Sequence, residues 1–149
     1  MKERALFQVS YKVILKNKKG EILGLAYPQS VIDAYGWHGR YDLPGGRIDS
    51  DELEMLPLAV IKRELAEELG DVQANISERP VATSIVLPEL TFSKKHPIFY
   101  VFFEGKYLGG DIVISDEHSG WRWIDLSSEK MQDSFIDAIA HGVKMYLKK

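Results

Sequence analysis

The sequence predicts an α+β fold built on a central mixed β-sheet with flanking helices, and three observations carry that prediction. Runs of apolar, β-branched and aromatic residues with strand-like patterning occupy both halves of the chain. Helical periodicity interrupts them between Pro57 and Gly70 and closes the chain from Ser128 to Leu147. At 149 residues and 45% hydrophobic content, the length suits one domain over residues 1–149 and the composition suffices to bury one core.

The first elements form a hairpin. Phe7 to Leu15 alternates and is rich in β-formers, Asn17-Lys18-Lys19-Gly20 is a turn signal, and Glu21 to Tyr27 returns as a second strand. From Pro28 to Arg40 the composition changes to Pro, Gly, Ser and isolated aromatics, which predicts a long loop, and loops of that length in compact domains are often functional. Tyr41-Asp42-Leu43 is a short strand that leads into Pro44-Gly45-Gly46, where glycine lets the backbone pass close to a ligand or a helix.

Pro57 suits a first helical turn, which needs no proline N–H, and Gly70 suits the residue that closes a helix. Between them Leu58, Ile61, Leu65 and Leu69 make an apolar stripe at spacings of three and four. Val81 to Leu87 and Ile98 to Phe103 read as buried strands, and Asp111 to Ser115 and Gly120 to Ile124 as shorter ones. Met131, Phe135, Ile139, Val143 and Tyr146 give the final helix its core face.

A net charge of −3 leaves no basic footprint, so the balance argues against nucleic acid as a partner. The absence of cysteine removes disulfide and thiol chemistry and fits a reducing compartment. The N-terminal MKERALFQVSYKVIL contains no run approaching the roughly 20 apolar residues that span a bilayer. The expected location is therefore cytoplasmic, with no membrane partner.

Glu64, Glu67 and Glu68 stand at i, i+3 and i+4 next to the apolar stripe, which puts their Cβ atoms roughly 5–6 Å apart on one face. Like charges so placed cost an isolated helix roughly 0.2–0.5 kcal/mol per pair, so a positive partner is expected. A hard divalent cation fits, because Mg²⁺ takes oxygen ligands, keeps waters and shares its shell with substrate phosphates.

Gly46, Glu52, Arg63, Glu64, Leu65, Glu67, Glu68 and Gly70 follow one another in the order of the Nudix box, and the segment resembles that signature of the Nudix hydrolases. The spacing departs from the family pattern at one place: seven residues normally separate the first glutamate from the arginine, whereas ten lie between Glu52 and Arg63. Counting back from Arg63 lands on Met55, with Glu54 one place off. With the helix beginning near Pro57, the three extra residues lengthen the preceding loop, and Glu52 and Glu54 both stand as candidates for the displaced box glutamate.

The resemblance implies a Nudix-type α/β/α sandwich and Mg²⁺-dependent hydrolysis, with Mn²⁺ as a substitute, of a phosphoanhydride in a nucleoside diphosphate linked to another moiety. Nucleoside triphosphates, ADP-ribose or other nucleotide sugars, and dinucleoside polyphosphates all fall in that class, and a homodimer is compatible with the fold. The implied metal ligands are Glu64, Glu67 and Glu68, with Arg63 orienting them. Glu117, in the loop before Trp121-Arg122-Trp123, matches the position from which some members draw a general base; Asp116, Glu104 and Glu89 are weaker competitors, and His118 reads as a surface histidine. Gly46, Arg47, Arg40 and Tyr27 are candidate substrate contacts, with Tyr35 and Trp37 as further aromatic faces for a base. Lys94, Lys95 and His96 form a small basic stretch.

Three other readings compete. A catalytically silent Nudix-fold nucleotide-binding module is favoured only by the displaced glutamate. Removal of pyrophosphate from RNA 5′ ends needs a basic path that the acidic balance opposes. A metal-dependent isomerase on a related scaffold lacks the cysteine such enzymes typically use.

Overall fold

A computed structural model describes residues 2–91 and 95–148 of the chain; Lys94 of the basic stretch lies outside the described residues. The front hairpin pairs β1 (Gln8–Lys16) with β2 (Ile22–Ala26). Its turn is held by Asn17, whose side-chain oxygen accepts from the Lys19 and Glu21 amides at 3.0 Å each, in an Asx-type arrangement that asparagine forms readily.

The predicted loop from Pro28 to Arg40 contains a helix, α1 (Gln29–Tyr35). Pro28 precedes its first turn, and Gly36 closes it in the left-handed region at φ 69°, donating its N–H to the Ile32 carbonyl at 2.8 Å. Of its residues only Val31 and Ile32 are half-buried against the core, two neighbours that make no helical stripe, so periodicity does not mark this helix.

The remaining elements are β3 (Tyr41–Asp42), β4 (Gly45–Arg47), α2 (Pro57–Leu69), β5 (Gln73–Val86), β6 (Ile98–Gly109), β7 (Gly120–Ile124), α3 (Glu129–Gln132) and α4 (Asp137–Leu147). The strands form one seven-stranded sheet in the order β3-β2-β1-β6-β5, with β4 added to β1 and β7 added to β2. β1 and β6 run parallel from Gln8 opposite Ile98 to Lys16 opposite Lys106, and the other pairings are antiparallel, which makes the sheet mixed.

The sheet separates two cores. Ile61, Leu65 and Leu69 of α2 pack with Val13, Leu15, Leu23, Leu25 and Phe103. Phe135 and, from α4, Ile139, Val143 and Tyr146 pack with Ile14, Ile22, Phe102 and Ile124. Neighbouring strand residues thus feed opposite clusters, as period-2 side-chain alternation requires.

Several boundaries differ from expectation. β5 begins at Gln73 rather than Val81, because its first half, including Glu78, Arg79 and Pro80, is an exposed edge with register shifts around Pro80. β6 continues past Phe103 to Gly109. Asp111 to Ser115 is not a strand; Ile112 and Ile114 pack onto the α2-side core while the Val113 amide bonds the Leu69 carbonyl at 3.0 Å. The final helical pattern is broken in two, since the Tyr41 amide bonds the Ser134 carbonyl at 2.7 Å and the Ile136 amide bonds the Tyr41 carbonyl at 3.3 Å, which stitches this stretch to β3 and seats Phe135 in the core. Among the described residues, no helix is long and apolar enough to cross a membrane.

Candidate active site

The segment before α2 and the first three turns of α2 are organised around Arg63. Its Nε and Nη2 donate to the two oxygens of Glu52 at 2.7 and 2.8 Å, Nη2 also donates to Glu64 Oε1 at 3.0 Å, and Nη1 reaches both oxygens of Glu67 at 3.1 Å. One planar guanidinium therefore orients three carboxylates, a task for which its fixed fork of five donors is suited. Glu52 also accepts from the Asp49 amide at 3.0 Å, and the Arg63 bond, followed by that amide, holds its pKa below the usual carboxylate range. Glu54 is exposed on the turn that follows. Of the two candidates for the displaced box glutamate, Glu52 is the one that meets the arginine; it ends a short 3-10 turn at Ser50–Glu52, and the turn from Leu53 to Met55, closed by the Met55 amide on the Glu52 carbonyl at 3.0 Å, takes up chain between it and Pro57.

The glycine pair sets the distance between β4 and α2. Gly45 adopts φ 133° and lies so close to β1 that a Cβ would overlap the Tyr11 carbonyl oxygen. At Gly46 a Cβ would stand 2.5 Å from the Glu64 carboxylate carbon, so the missing side chain is what lets Glu64 lie against β4.

Glu68 is only 2% exposed. Its Oε1 accepts from the Gly45 amide at 3.3 Å, while Oε2 is buried with no hydrogen-bond partner among the described residues. Burial pushes its pKa up to about 9; Asp42 and Glu64 add to the rise, and Lys12 and the Gly45 N–H oppose it. Burial also raises the Glu64 pKa, against the pull of Arg63.

Glu68 lines a cavity of about 250 Å³ together with Lys12, Asp42, Gly46, Arg47 and Glu117, so α2, β4 and the loop before β7 contribute to one space. Tyr27, Tyr100 and His118 also border it. Within its wall Lys12 Nζ pairs with Asp42 at 3.1 Å and donates to the Leu43 carbonyl at 3.3 Å, and both side chains are under 10% exposed. Burial would raise the Asp42 pKa, but Lys12 and then His118 outweigh it and hold the group at about 2. His118 Nε2 stands 3.7 Å from Asp42, and the residue is 9% exposed, so it is a buried member of this network and not the surface histidine expected.

The structure thus gathers Glu68, Gly46, Arg47, Tyr27 and Glu117 around one cavity, with Glu64 against Gly46 and Glu67 held more openly by Arg63. Arg40 does not line it; its guanidinium pairs with Asp137 at 2.8 Å. Tyr35 and Trp37 stack on each other at 4.8 Å beside an adjoining cavity. Lys12 and Asp42 were missed by the sequence reading. The available signal was a lysine in the middle of an apolar strand and an aspartate between Tyr41 and Leu43, positions where an unpaired charge would be costly.

Two features bear on a metal. Glu64, Glu67 and Glu68 offer only carboxylate oxygens, the donors that hard divalent cations take, and the orphaned Oε2 of Glu68 is a buried acceptor that a cation would satisfy. The residues therefore fit such an ion. Asp49, Asp51 and Glu52 also bring carboxylate oxygens within 4.8 Å of one another, but Glu52 is already taken by Arg63 and the Asp49 amide.

The model of the NUDIX domain matches residues 6–140. Among solved structures, the MutT protein of Methanosarcina mazei Go1 superposes with a TM-score of 0.66 at 21% identity, covering 99% of this chain and 95% of that one. A C. elegans Ap4A hydrolase gives 0.66 at 19% identity with 95% and 96% covered. An ADP-ribose pyrophosphatase from Streptococcus suis 89-1591 gives 0.60 at 16% identity with 96% and 91% covered. No curated protein matches the sequence.

Proposed function

The chain belongs to the NUDIX family, and on that premise we propose that it is a divalent-metal-dependent pyrophosphohydrolase that cleaves a phosphoanhydride in a nucleoside diphosphate linked to another moiety. The observation that carries the reading is the Arg63 clamp on Glu52, Glu64 and Glu67 beside the orphaned Glu68 carboxylate. Two of the solved neighbours are an Ap4A hydrolase and an ADP-ribose pyrophosphatase, and both named compounds are nucleoside diphosphates extended by another group.

In this reading Glu64, Glu67 and Glu68 hold Mg²⁺, for which Mn²⁺ can substitute. When bound, the ion supplies charge neutralisation for adjacent phosphate oxygens and lowers the pKa of a water. The protein's own groups do the rest. Arg63 fixes the carboxylates before substrate arrives, so the geometry need not be assembled during the reaction. Arg47 and the glycine turn wall the space that receives the phosphates. Glu117, exposed in the loop and lining the same cavity, takes the proton from the attacking water as general base. The buried Lys12 sits beneath this acidic cavity and offsets part of its negative charge.

The test is a product-release assay across nucleoside triphosphates, ADP-ribose and other nucleotide sugars, and dinucleoside polyphosphates, with and without Mg²⁺, with products identified by mass. Metal-dependent cleavage of one group is expected. Tight binding with no turnover on any of them would overturn the enzyme reading in favour of a silent binding module.

A further inference from the structure

Adjoining the acidic cavity is a second one of about 130 Å³, and the two share Tyr27 and Tyr100 as a common wall. From this arrangement, and resting on the hydrolase reading above, we infer that the second cavity is the nucleobase subsite and that it selects bases carrying an exocyclic amino group.

Its walls are aromatic. Tyr27 packs on Trp37 with centroids 4.9 Å apart and the rings tilted by 46°, and Trp37 stacks on Tyr35 at 4.8 Å and 24°. Val86, Ile98 and Ala138 supply apolar surface to the same cavity. The volume is close to the about 150 Å³ of an apolar cavity that binds benzene, so it takes no more than one six-membered ring and leaves the rest of a nucleotide outside. The shared wall then places the attached phosphates toward Gly46, Arg47 and Glu68.

Its charges select the edge. The two charged side chains that line it are Glu89 and Asp137, and no cation lines it among the described residues. Glu89 is exposed on the 3-10 turn Pro88–Leu90, and one oxygen of Asp137 is occupied by Arg40. Ionised carboxylates only accept hydrogen bonds. They therefore favour a base edge that donates, as the amino groups of cytosine and adenine do, and oppose both an edge of carbonyls and any anionic group.

The experiment compares isosteric pairs on the wild-type enzyme with Mg²⁺: CTP against UTP, and ATP against ITP. The amino-bearing partner of at least one pair should have kcat/KM higher by about tenfold, the value of one hydrogen bond to a charged group. In Glu89→Gln, whose exposed site leaves the fold unaffected, that ratio should shrink toward one, because an amide presents a donor as well as an acceptor. Binding of CMP, UMP, AMP and IMP is followed in parallel by quenching of tryptophan fluorescence, expected to be lost in Trp37→Phe. Equal kcat/KM within both pairs, or quenching that survives Trp37→Phe unchanged, overturns the subsite while leaving the hydrolase reading intact. Selective quenching with no turnover upholds the subsite and overturns the hydrolase reading.

Discussion

Arg63 and Glu52 face each other as a two-bonded fork, Nε to Oε2 at 2.7 Å and Nη2 to Oε1 at 2.8 Å, across a loop three residues longer than the family spacing. The bond survives the insertion because the chain after Glu52 turns at once, with the Met55 amide on the Glu52 carbonyl at 3.0 Å, before α2 begins at Pro57. Glu52→Gln keeps the shape but removes the charge that holds Arg63, so activity should fall by roughly 10–100-fold, the usual effect of losing a group that orients metal ligands. Glu54→Gln should change nothing measurable. Steady-state kinetics of the two variants side by side decides the matter, and an equal loss in both would remove Glu52 from the site.

The two glycines of the turn should fail in different ways. Gly45→Ala meets both a left-handed φ and the Tyr11 carbonyl, a backbone group that cannot step aside, so it should destabilise the fold on the order of 3 kcal/mol or more. Gly46→Ala meets only the end of the Glu64 side chain. It should leave the urea midpoint close to wild type and depress activity by displacing Glu64; a stable and fully active Gly46→Ala would show that Glu64 need not lie where it does.

Lys12 and Asp42 form a buried pair whose members depend on each other. Asp42→Asn leaves an uncompensated buried ammonium and should cost about 3–5 kcal/mol, whereas the double variant Lys12→Met/Asp42→Leu should recover much of that loss. The folded pKa of Asp42, about 2, lies below its ordinary 3.8. Stability from the pair is thus present above pH 4 and lost as pH falls toward 2. Denaturation midpoints across that range should show a larger acid loss in wild type than in the double variant.

Glu117 shares the cavity with Glu68 but belongs to a different part of the chain. If it accepts the proton from water, Glu117→Gln lowers kcat by about 10²–10⁴-fold and leaves Mg²⁺ affinity by calorimetry nearly unchanged. A neutral substitution would return the base to the box helix.

What the sequence made legible followed from periodicity and from special residues. Pro57 and Gly70 bound α2 as expected, and Ile61, Leu65 and Leu69 face the core. The carboxylates beside that stripe could be read from spacing alone. The choice between Glu52 and Glu54 could not, because it depends on how a loop curls back in three dimensions, and a shift of two positions separates a buried partner of Arg63 from an exposed side chain. The Lys12–Asp42 pair was hidden for a similar reason: β1 and β3 are distant in sequence, and neither residue shows its partner locally. The break before α4 escaped because Phe135 sits in helical register with Ile139 and Val143, yet its backbone is tied to Tyr41.

Glu68 and Glu67 are adjacent, but their substitution should separate stability from activity. Glu67 is largely exposed and held by Arg63, so Glu67→Gln should lower activity with little effect on the fold. Glu68 is buried, and its folded pKa, about 9, stands above the ordinary 4.5. Without metal, folding at intermediate pH therefore takes up a proton, and wild-type stability should decline as pH rises from about 4.5 toward 9. Glu68→Gln has no proton to take up. In EDTA it should be more stable than wild type at pH 7 by on the order of 3 kcal/mol, with a flatter pH profile, while losing most activity with Mg²⁺. Calorimetry of Mg²⁺ binding in buffers of different ionisation enthalpy should report more proton release from wild type than from the variant. A Glu68→Gln protein that is less stable than wild type at pH 8 in EDTA would mean that the carboxylate is already compensated in the folded chain, and that the orphaned Oε2 is no invitation to a cation.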